Sequence, residues 1–334
     1  MRALLIVNPN ATSTTAPRRD VIARALASSV DLDVVHTRYR GHAARLAGDA
    51  AADGLEILFI LGGDGTINEA VNGLLGTCPG TAAGTAADVA TGTAARTDRT
   101  DDRPAAADLP VLAPIPGGSA NVFVRALGMP ADPIDATAAI LAAISNGSER
   151  RIGLGQAGDR YFTCSGGMGL DAEVIRAVEC HRADGRPAST ALYVLSAVRQ
   201  FYGVTDRHQP ALTLERPGQS PIGPLFIGIV SNTSPWTYLG NRRVNPNPRA
   251  GFGTGLDLFA LRRLRTPGTL NALRQMLLGH GKTPRGRHIV SLHDEAKITL
   301  RSRRPIACQV DGEYVGESES ITFRSVPDAL RVVA

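Results

Sequence analysis

An uninterrupted apolar run, Leu55 to Leu61, leads directly into the sequence GGDGT at Gly62 to Thr66, and a helical pattern begins near Asn68. An apolar run of this length that ends in glycines predicts a buried strand. Glycines at the carboxyl end of a strand let the backbone approach a ligand closely, and the first turn of the next helix offers N–H groups to a phosphate. The segment predicts a phosphate-binding turn. The alternative is a tight turn in which Asp64 only caps the helix.

Strand and helix patterns alternate through the first part of the chain. Such alternation is typical of a mainly parallel sheet with helices on both faces, so we predict an α/β domain over residues 1–146. The predicted strands are Ala3 to Val7, Leu32 to His36, Leu55 to Leu61 and Val111 to Ile115. The predicted helices are Thr15 to Ser28, His42 to Asp53, Asn68 to Leu75 and Ala120 to Leu127.

Residues 76–109 interrupt this alternation. The segment consists mainly of Ala, Thr, Gly and Asp and contains no aromatic residue. It therefore buries too little apolar surface to offset the entropy lost on ordering. We expect a flexible surface insertion in the α/β domain, and not a functional site.

The pattern changes after Gly147 to short β-like runs separated by turn residues. This predicts a second domain over residues 147–334, a β-rich antiparallel sandwich whose last strands pack back on the first domain. A chain of 334 residues with 43% apolar residues is long enough for two such domains. The predicted strands are Arg150 to Leu154, Tyr161 to Ser165, Leu212 to Glu215, Leu225 to Val230, Leu256 to Leu261, Ala296 to Leu300, Ile306 to Val310 and Ile321 to Phe323. The predicted helices are Asp171 to Cys180, Ser189 to Phe201 and Thr269 to Leu278.

Two further strand ends carry small and polar residues. The sequence PGGSAN at Pro116 to Asn121 follows the fourth predicted strand, and NPNA at Asn8 to Ala11 follows the first. Because loops at the carboxyl ends of neighbouring parallel strands converge on one crevice, we expect these loops and the GGDGT turn to share a nucleotide. Asp64 would repel a phosphate unless a cation lay between them, and magnesium binds through few carboxylates and substrate phosphates. The chain has neither a P-loop sequence nor G-x-G-x-x-G spacing at this turn.

With these motifs the chain resembles the diacylglycerol kinase catalytic-domain superfamily, which includes bacterial lipid kinases and sphingosine kinases. GGDGTINE at Gly62 to Glu69, followed by PGGSAN, carries the resemblance, which covers nearly the whole chain except residues 76–109. The resemblance implies an NAD-kinase/phosphofructokinase-like fold for the first domain. It also implies ATP- and magnesium-dependent phosphorylation of a lipid hydroxyl, with conversion of diacylglycerol to phosphatidic acid as the favoured reaction. The ATP contacts that it implies are Asn8, Pro9, Asn10, Ala11, Thr37, Gly62, Gly63, Asp64, Gly65, Thr66, Ile67, Asn68, Gly118 and Ser119.

A third motif, Asp311-Gly312-Glu313, stands at the end of a predicted strand. On sequence alone, Asp-Gly is a good hairpin turn. In the bacterial lipid kinases that the chain resembles, the glutamate of this motif is the proposed base. The resemblance therefore makes Glu313 the proton acceptor and Asp64 the magnesium-linked carboxylate. Phosphoryl transfer needs a metal, positioning and a carboxylate near the attacking hydroxyl, which agrees with this assignment.

Other acids are candidates by the same resemblance. Asp171 and Glu173 fall in a region that lies near the lipid headgroup in the family, although Glu173 equally suits a helix first turn, where an acid stabilises the dipole. Asp257 corresponds to part of a structural magnesium site, but no acid stands just before Gly255. Val122 replaces an aspartate that is common in the family, so any polar contact made there is lost.

Basic residues are concentrated in one stretch of the chain. Residues 262–304 contain eleven Lys or Arg against two acids, whereas the net charge of the whole chain is +5. The stretch predicts peripheral contact with an anionic membrane, or else a solvated basic face. The same charge would suit nucleic acid, which we do not expect as a partner. The apolar runs are shorter than a membrane span and the four cysteines are widely spaced, so we expect a cytoplasmic, peripherally membrane-associated protein, with homodimerisation open.

Two other functions compete with a lipid kinase. Soluble kinases that act on NAD or sugar phosphates also use Gly-Gly-Asp-Gly, but the β-rich second domain and the basic stretch favour a lipid. A lipid- or nucleotide-binding module without activity is the other alternative, and the presence of both Asp64 and Glu313 argues against it.

Overall fold

The structure is a computed structural model, and it describes residues 1–77, 106–183, 190–204, 209–240, 242–279 and 281–333. These residues form two compact units. The first unit contains the described residues of 1–154 together with 327–333, and the second contains the described residues of 155–326. The division falls after Leu154, whereas the sequence predicted it after residue 146.

The first unit is built on parallel strands that are flanked by helices. Its strands are β1 (Arg2–Val7), β2 (Asp31–His36), β3 (Ile57–Gly62) and β4 (Val111–Pro116), in the parallel order β4-β3-β1-β2. The helices are α1 (Ala16–Ala27), α2 (His42–Ala52), α3 (Asp64–Leu74), α4 (Val122–Ala126) and α5 (Pro133–Ser145). Helix α3 begins at Asp64 and not near Asn68, so the GGDGT sequence forms the end of β3 and the first turn of α3.

Alternating side chains of the parallel strands are buried on both faces of the sheet. Leu5 and Phe59 pack in one core cluster with Ile22 of α1 and Ile140 of α5. The intervening residues of β1 and β3 are also buried, and α2 and α3 pack together over that face. Helices on both faces explain why β3 is buried at every position and reads as a continuous apolar run.

Helix α5 was not among the predicted helices, although its start carries a clear signal. Asp132 lies at the N-cap, and its Oδ1 accepts hydrogen bonds from the backbone N–H groups of Ile134 at 2.8 Å and Asp135 at 3.3 Å. Pro133 occupies the first turn, where its missing N–H costs nothing. The sequence of α5 contains few polar residues, because part of the helix is buried against the sheet. The amphipathic pattern that would predict a helix is therefore weak.

The second unit is mainly antiparallel. Its strands are β5 (Glu149–Ala157, shared with the first unit), β6 (Arg160–Phe162), β7 (Ser165–Gly169), β8 (Leu212–Glu215), β9 (Ile222–Leu225), β10 (Ile227–Ser231), β11 (Thr237–Leu239), β12 (Arg242–Val244), β13 (Leu256–Leu261), β14 (Ile289–Glu295), β15 (Lys297–Val310) and β16 (Glu313–Val333). The main order is β14-β13-β10-β7-β15-β16. The end of β16, residues 327–333, belongs to the first unit, where Val332 pairs with Leu112 of β4. The predicted fold class, a mainly parallel α/β part followed by an antiparallel β-rich part, is confirmed.

The helices of the second unit are α6 (Leu170–Ala183), α7 (Thr190–Arg199), which continues into a π-helical turn (Gln200–Val204), and α8 (Thr266–Leu278). No helix in the described parts of the chain has both the length and the apolar character needed to cross a membrane. The strand predicted at Ala296 to Leu300 and the one at Ile306 to Val310 form a single long strand, β15, with an irregular register between them.

The predicted flexible insertion, residues 76–109, lies mostly outside the described residues, since 78–105 are not described. Its end is part of the first unit. Ala106 and Leu109 are buried, and the Arg331 guanidinium donates hydrogen bonds to the carbonyls of Ala106, Ala107 and Leu109 at 3.0, 3.2 and 2.7 Å. The prediction was therefore wrong for residues 106–109, because a distant arginine satisfies their backbone.

Candidate functional site

Three strand-end loops of the first unit are joined by hydrogen bonds. The Asn8 side chain, after β1, donates from Nδ2 to Thr66 Oγ1 in α3 at 2.9 Å. The backbone N–H of Gly117, after β4, donates to the carbonyl of Gly62 at 2.8 Å, and Ser13 N–H donates to the carbonyl of Gly117 at 3.1 Å. The loops that were predicted to converge are thus brought together at the carboxyl edge of the parallel sheet.

The loops after β3 and β4 approach so closely that only glycine fits between them. A Cβ atom on Gly117 would lie 2.9 Å from the Cα of Gly62, and one on Gly118 would lie 2.8 Å from the Cα of Gly63. Asn121 fixes the second loop, because its side chain accepts from the Gly118 N–H and donates to the Gly118 carbonyl, both at 2.8 Å. The two loops therefore pack backbone against backbone, with Gly62 and Gly117 buried and Gly63 and Gly118 half-buried.

Asp64 is the first residue of α3, and its carboxylate binds the start of another helix. Oδ2 accepts from the backbone N–H of Val122 and Oδ1 from that of Phe123, each at 3.0 Å. Asp64 therefore caps α4, the helix that follows the PGGSAN loop, and not its own helix as the alternative interpretation supposed. A carboxylate has about four acceptor positions, and these two amides use two of them.

The other residues predicted to contact ATP differ in accessibility. Pro9, Asn10 and Ser119 are exposed, while Ile67 and Asn68 are fully buried. The Ile67 N–H donates to the carbonyl of Gly63 at 3.1 Å, inside the first turn of α3. The half-buried residues at this edge are Asn8, Ala11, Thr37, Gly63, Gly65, Thr66 and Gly118. Ile67 and Asn68 thus support the loop from below, and their direct contact with a nucleotide stays a prediction.

The second unit holds Asp311 through an unusual number of donors. Its Oδ2 accepts from the N–H and hydroxyl of Thr163, at 2.7 and 2.8 Å. Its Oδ1 accepts from the N–H groups of Cys164 and Ser165, at 2.8 and 2.9 Å. Asp311 also has a left-handed φ of 48°. The turn between β15 and β16 is therefore anchored by its own first side chain to the start of β7.

Glu313 opens β16 next to that turn and has a charged partner. The Arg160 guanidinium donates to Glu313 Oε2 at 2.6 Å, and the two side chains are only 15% and 22% exposed. Partial burial reduces the screening of the attraction between the two charges and also costs part of their hydration. Arg160 holds the Glu313 carboxylate in a fixed place.

Asp171, in the first turn of α6, is buried and tied to the same turn through a glutamine. Gln309 Nε2 donates to Asp171 Oδ2 at 3.0 Å, and Gln309 Oε1 accepts from the Gly312 N–H at 3.1 Å. Asp171 Oδ1 is buried without a hydrogen-bond partner in the described part of the chain. Burial raises the pKa of Asp171 to about 7, against the opposing effect of the Gln309 hydrogen bond. Glu173 is half-buried in the same turn.

Arg160, Gln309 and Thr163 are functional candidates that the sequence did not single out. Arg160 and Glu313 are 153 positions apart, and the arginine follows an ordinary Gly-Asp turn. Gln309 is a single amide within an otherwise apolar predicted strand. Since a fully buried amide requires hydrogen-bond partners, its position in the sequence could have indicated a role for it. Thr163 is a common residue type for a strand.

Asp257 is a third predicted acid, and its surroundings are different. Its Oδ1 accepts from His293 Nδ1 at 2.6 Å and from the Asp294 N–H at 3.1 Å. Burial raises its pKa, and the hydrogen bonds from Asp294 and His293 oppose that rise. Within the described residues no group of three His, Cys, Asp or Glu side chains could hold a metal. Asp257 as a metal ligand stays a prediction.

Known proteins are similar to this chain over one or both units. The family model described as "Diacylglycerol kinase catalytic domain" matches residues 2–157. A protein of Bacillus subtilis (strain 168) named diacylglycerol kinase is 29% identical over 324 residues, which are 94% of this chain and 90% of that protein. A Chromohalobacter salexigens protein named "Probable lipid kinase YegS-like" is 32% identical over 153 residues, 45% of this chain and 39% of that protein. A crystal structure of a diacylglycerol kinase from Bacillus anthracis str. Sterne superposes on 99% of this chain, and the match covers 96% of that chain. The TM-score is 0.66 at 18% sequence identity, so the two chains share a fold.

Proposed function

We propose, from the premise that residues 2–157 belong to the diacylglycerol kinase catalytic domain family, that this chain is an ATP-dependent lipid kinase. The acceptor that we favour is the free hydroxyl of diacylglycerol, which would become phosphatidic acid. The relatives named diacylglycerol kinase and lipid kinase support this choice. The observation that carries the proposal is the backbone contact of Gly117 and Gly118 with Gly62 and Gly63, which holds the two glycine-rich loops together beside the start of α3.

ATP phosphates suit this part of the first unit. The first N–H groups of an α-helix lie outside its own hydrogen-bond ladder, and the helix dipole adds partial positive charge there. In α3 that turn is formed by Asp64, Gly65 and Thr66. The half-buried Gly63 and Gly118 lie beside this turn and carry no side chain that would cover it. The site would bind the phosphate chain of the nucleotide mainly through backbone groups.

Magnesium fits the same place through one carboxylate. A magnesium ion bound to a nucleotide is held mostly by phosphates and water and needs only one or two protein carboxylates. Asp64 is half-buried beside the loops, and the two amides of α4 leave its carboxylate in a fixed orientation. Bound magnesium would neutralise charge that develops on the transferred phosphoryl group. The Asp64 carboxylate would position the magnesium ion. By capping α4 it would also hold the PGGSAN loop in place.

Glu313 is the residue to which we assign the hydroxyl proton. The acceptor hydroxyl loses its proton as its oxygen forms a bond to phosphorus, and the bond between that phosphorus and the ADP oxygen breaks. Phosphoryl transfer passes through a loose transition state that demands little of the base. A carboxylate that is also paired with Arg160 can therefore serve, and the ion pair fixes its orientation. Asp311 and Gln309 would be positioning residues, because they hold the turn that carries Glu313.

Transfer of labelled phosphate from ATP tests the proposal. Wild-type protein is incubated with magnesium, labelled ATP and diacylglycerol in mixed micelles, and in parallel with NAD or with a sugar phosphate. Labelled phosphatidic acid is the expected product, and Glu313→Gln protein is the control for contaminating kinases. Label in NADP or in a sugar bisphosphate instead would favour a soluble kinase. ATP binding without transfer to any acceptor, including a total lipid extract, would favour a binding module.

A further inference from the structure

Helix α8 of the second unit turns several leucines toward solvent. Leu270, Leu273 and Leu278 are 59%, 43% and 49% exposed. With about 3.6 residues per turn, Leu270 and Leu278 lie roughly opposite Ala272 and Met276, whereas Leu273 lies at the edge of the exposed face, about 60° from Met276. Ala272 and Met276 are buried in a core cluster with the strands beneath the helix. The leucine face is therefore an outward surface that the second unit itself leaves uncovered.

A basic loop is held against this helix by one side chain. Gln275 of α8 accepts from the Arg285 N–H at 2.9 Å and donates to the Arg285 carbonyl at 3.0 Å. The loop also carries Lys282 and Arg287, and all three basic residues are exposed. Arg274 is exposed on the helix itself, one residue after Leu273. Leucines and positive charges are thus presented together.

The charge of this segment is of a single sign along the sequence. Residues 262–293 contain seven Lys or Arg and no Asp or Glu. Partial burial, and then the charges of Arg263, Arg287, Arg265 and Arg262, lower the pKa of His288. The Arg262 N–H donates to the His288 carbonyl at 2.8 Å, which joins the segment before α8 to the basic loop.

We propose that this face, defined by Leu270, Leu273 and Leu278 with the surrounding basic residues, docks on the surface of an anionic lipid bilayer. An amphipathic helix lying in the interface places its apolar side chains among the lipid chains and its basic residues at the headgroups. Nucleic acid would use the positive charge but leave the leucines uncovered. A second copy meeting the same face across a twofold axis would bring like charges together. A bilayer satisfies both features of the surface.

Vesicle flotation tests this docking without ATP or an acceptor, so its outcome is separate from that of the kinase assay. Vesicles of phosphatidylcholine alone are compared with an equal mixture of phosphatidylcholine and phosphatidylglycerol. We expect wild-type protein to float with the mixed vesicles and release at high salt. The double variant Leu270→Glu/Leu273→Glu should bind about a hundredfold more weakly, since it removes apolar insertion and adds negative charge. The triple variant Arg274→Gln/Lys282→Gln/Arg285→Gln should lose at least about tenfold and lose its preference for the anionic vesicles.

Val21→Glu is the matched control, because Val21 is an apolar residue that is 54% exposed on a helix of the first unit. It should float like wild type, and unchanged thermal melting of each variant should exclude unfolding. Equal flotation of the double leucine variant and the control would overturn the proposal. The proposal would also be overturned if wild-type protein bound duplex DNA but no vesicles, and if the leucine variant still bound the DNA. Concentration-dependent dimerisation that the leucine variant abolishes, again without vesicle binding, would replace the bilayer by a second copy.

Discussion

Asp64 in the first unit and Asp311 in the second have similar settings in the sequence, since each is an aspartate beside glycine at the end of a strand. Asp64 accepts two backbone N–H groups, both from the start of α4. Asp311 accepts three backbone N–H groups and one hydroxyl, which match the roughly four acceptor positions of a carboxylate. Asp311 is thus committed to holding the fold, whereas Asp64 combines a cap with a place beside the phosphate loop. The pattern of acid and glycine alone does not separate these roles.

The comparison extends to Glu313, two residues after Asp311. Its partner is a guanidinium and not a row of amides. An acid held by a side chain can exchange that contact during a reaction more readily than one held by several backbone groups. Within the turn, the chemistry and the anchoring are therefore divided between Glu313 and Asp311.

The largest expected effect is on turnover in Glu313→Gln. Glutamine keeps the size of the side chain but cannot accept the proton, so kcat should fall by ~10²- to 10⁴-fold while the Kd for ATP stays nearly constant. Glu317→Gln is the matched control, because Glu317 is on the same strand and also pairs with an arginine at 2.6 Å. Steady-state kinetics and nucleotide titration give both quantities. Equal losses in the two variants would assign the effect to broken ion pairs and not to a base.

Asp311→Asn should cost the most stability. The amide Nδ2 would face donors in place of an acceptor, so we expect a loss of roughly 3 kcal/mol in the free energy of unfolding. Asp328→Asn provides the control, since Asp328 shares the left-handed φ of 48° but is exposed. Urea denaturation of both variants measures the difference. A change in Asp311→Asn no larger than in the control would show that the four hydrogen bonds do not anchor the turn.

Asp171→Asn should change the pH dependence of stability. The pKa of Asp171 is raised from 3.8 to about 7 in the folded protein, so the folded state retains a proton that the unfolded state has lost. The stabilisation by this proton is complete below the unfolded value and is lost as pH rises through the folded one. Wild type should therefore lose about 2 kcal/mol between about pH 5 and about pH 8 relative to Asp171→Asn. Urea unfolding at both pH values checks this, with Asp135→Asn, which changes an exposed acid in the first turn of α5, as control. Parallel curves for wild type and Asp171→Asn would contradict it.

Asp64→Asn should have the smallest effect on stability, about 1 kcal/mol, as expected for the loss of a helix cap. Asp132→Asn at the start of α5 is the contrasting control and should cost little, because Oδ1 alone accepts both backbone N–H groups there and asparagine keeps that acceptor. Thermal melting without nucleotide or magnesium measures the cap. Turnover should fall by at least ~10²-fold in Asp64→Asn alone. If Asp64→Asn loses turnover but keeps the melting temperature of wild type, the capping hydrogen bonds do not stabilise the fold. Asp64 would then act only at the nucleotide.

Most strands and helices were predictable because their patterns are local. The strands predicted at Ala3 to Val7 and Leu32 to His36 differ by at most one residue from β1 and β2. Helix α3 was placed too late, because its first turn consists of glycine, aspartate and threonine, which read as a loop. Residues 106–109 were assigned to a flexible segment because the arginine that binds their carbonyls is more than two hundred positions away, with sequence separations of 225, 224 and 222.

The site was predictable to the level of its loops. Asn8, the GGDGT turn and the PGGSAN loop could be placed at one edge, because parallel strands must end together. Their partners could not be placed in the same way. Nothing near Arg160 in the sequence indicates Glu313, and nothing near Gln309 indicates Asp171.

The sequence by itself determined the two kinds of sheet, the glycine-rich strand ends and the concentration of basic residues, because backbone preference, apolar periodicity and charge depend on neighbours along the chain. Only the tertiary structure decided that Asp64 caps α4, that Asp311 is saturated by donors and that Arg160 pairs with Glu313. Hydrogen bonds and ion pairs depend on distances of about 3 Å between atoms. Residues far apart in sequence reach such distances only after the sheets have packed.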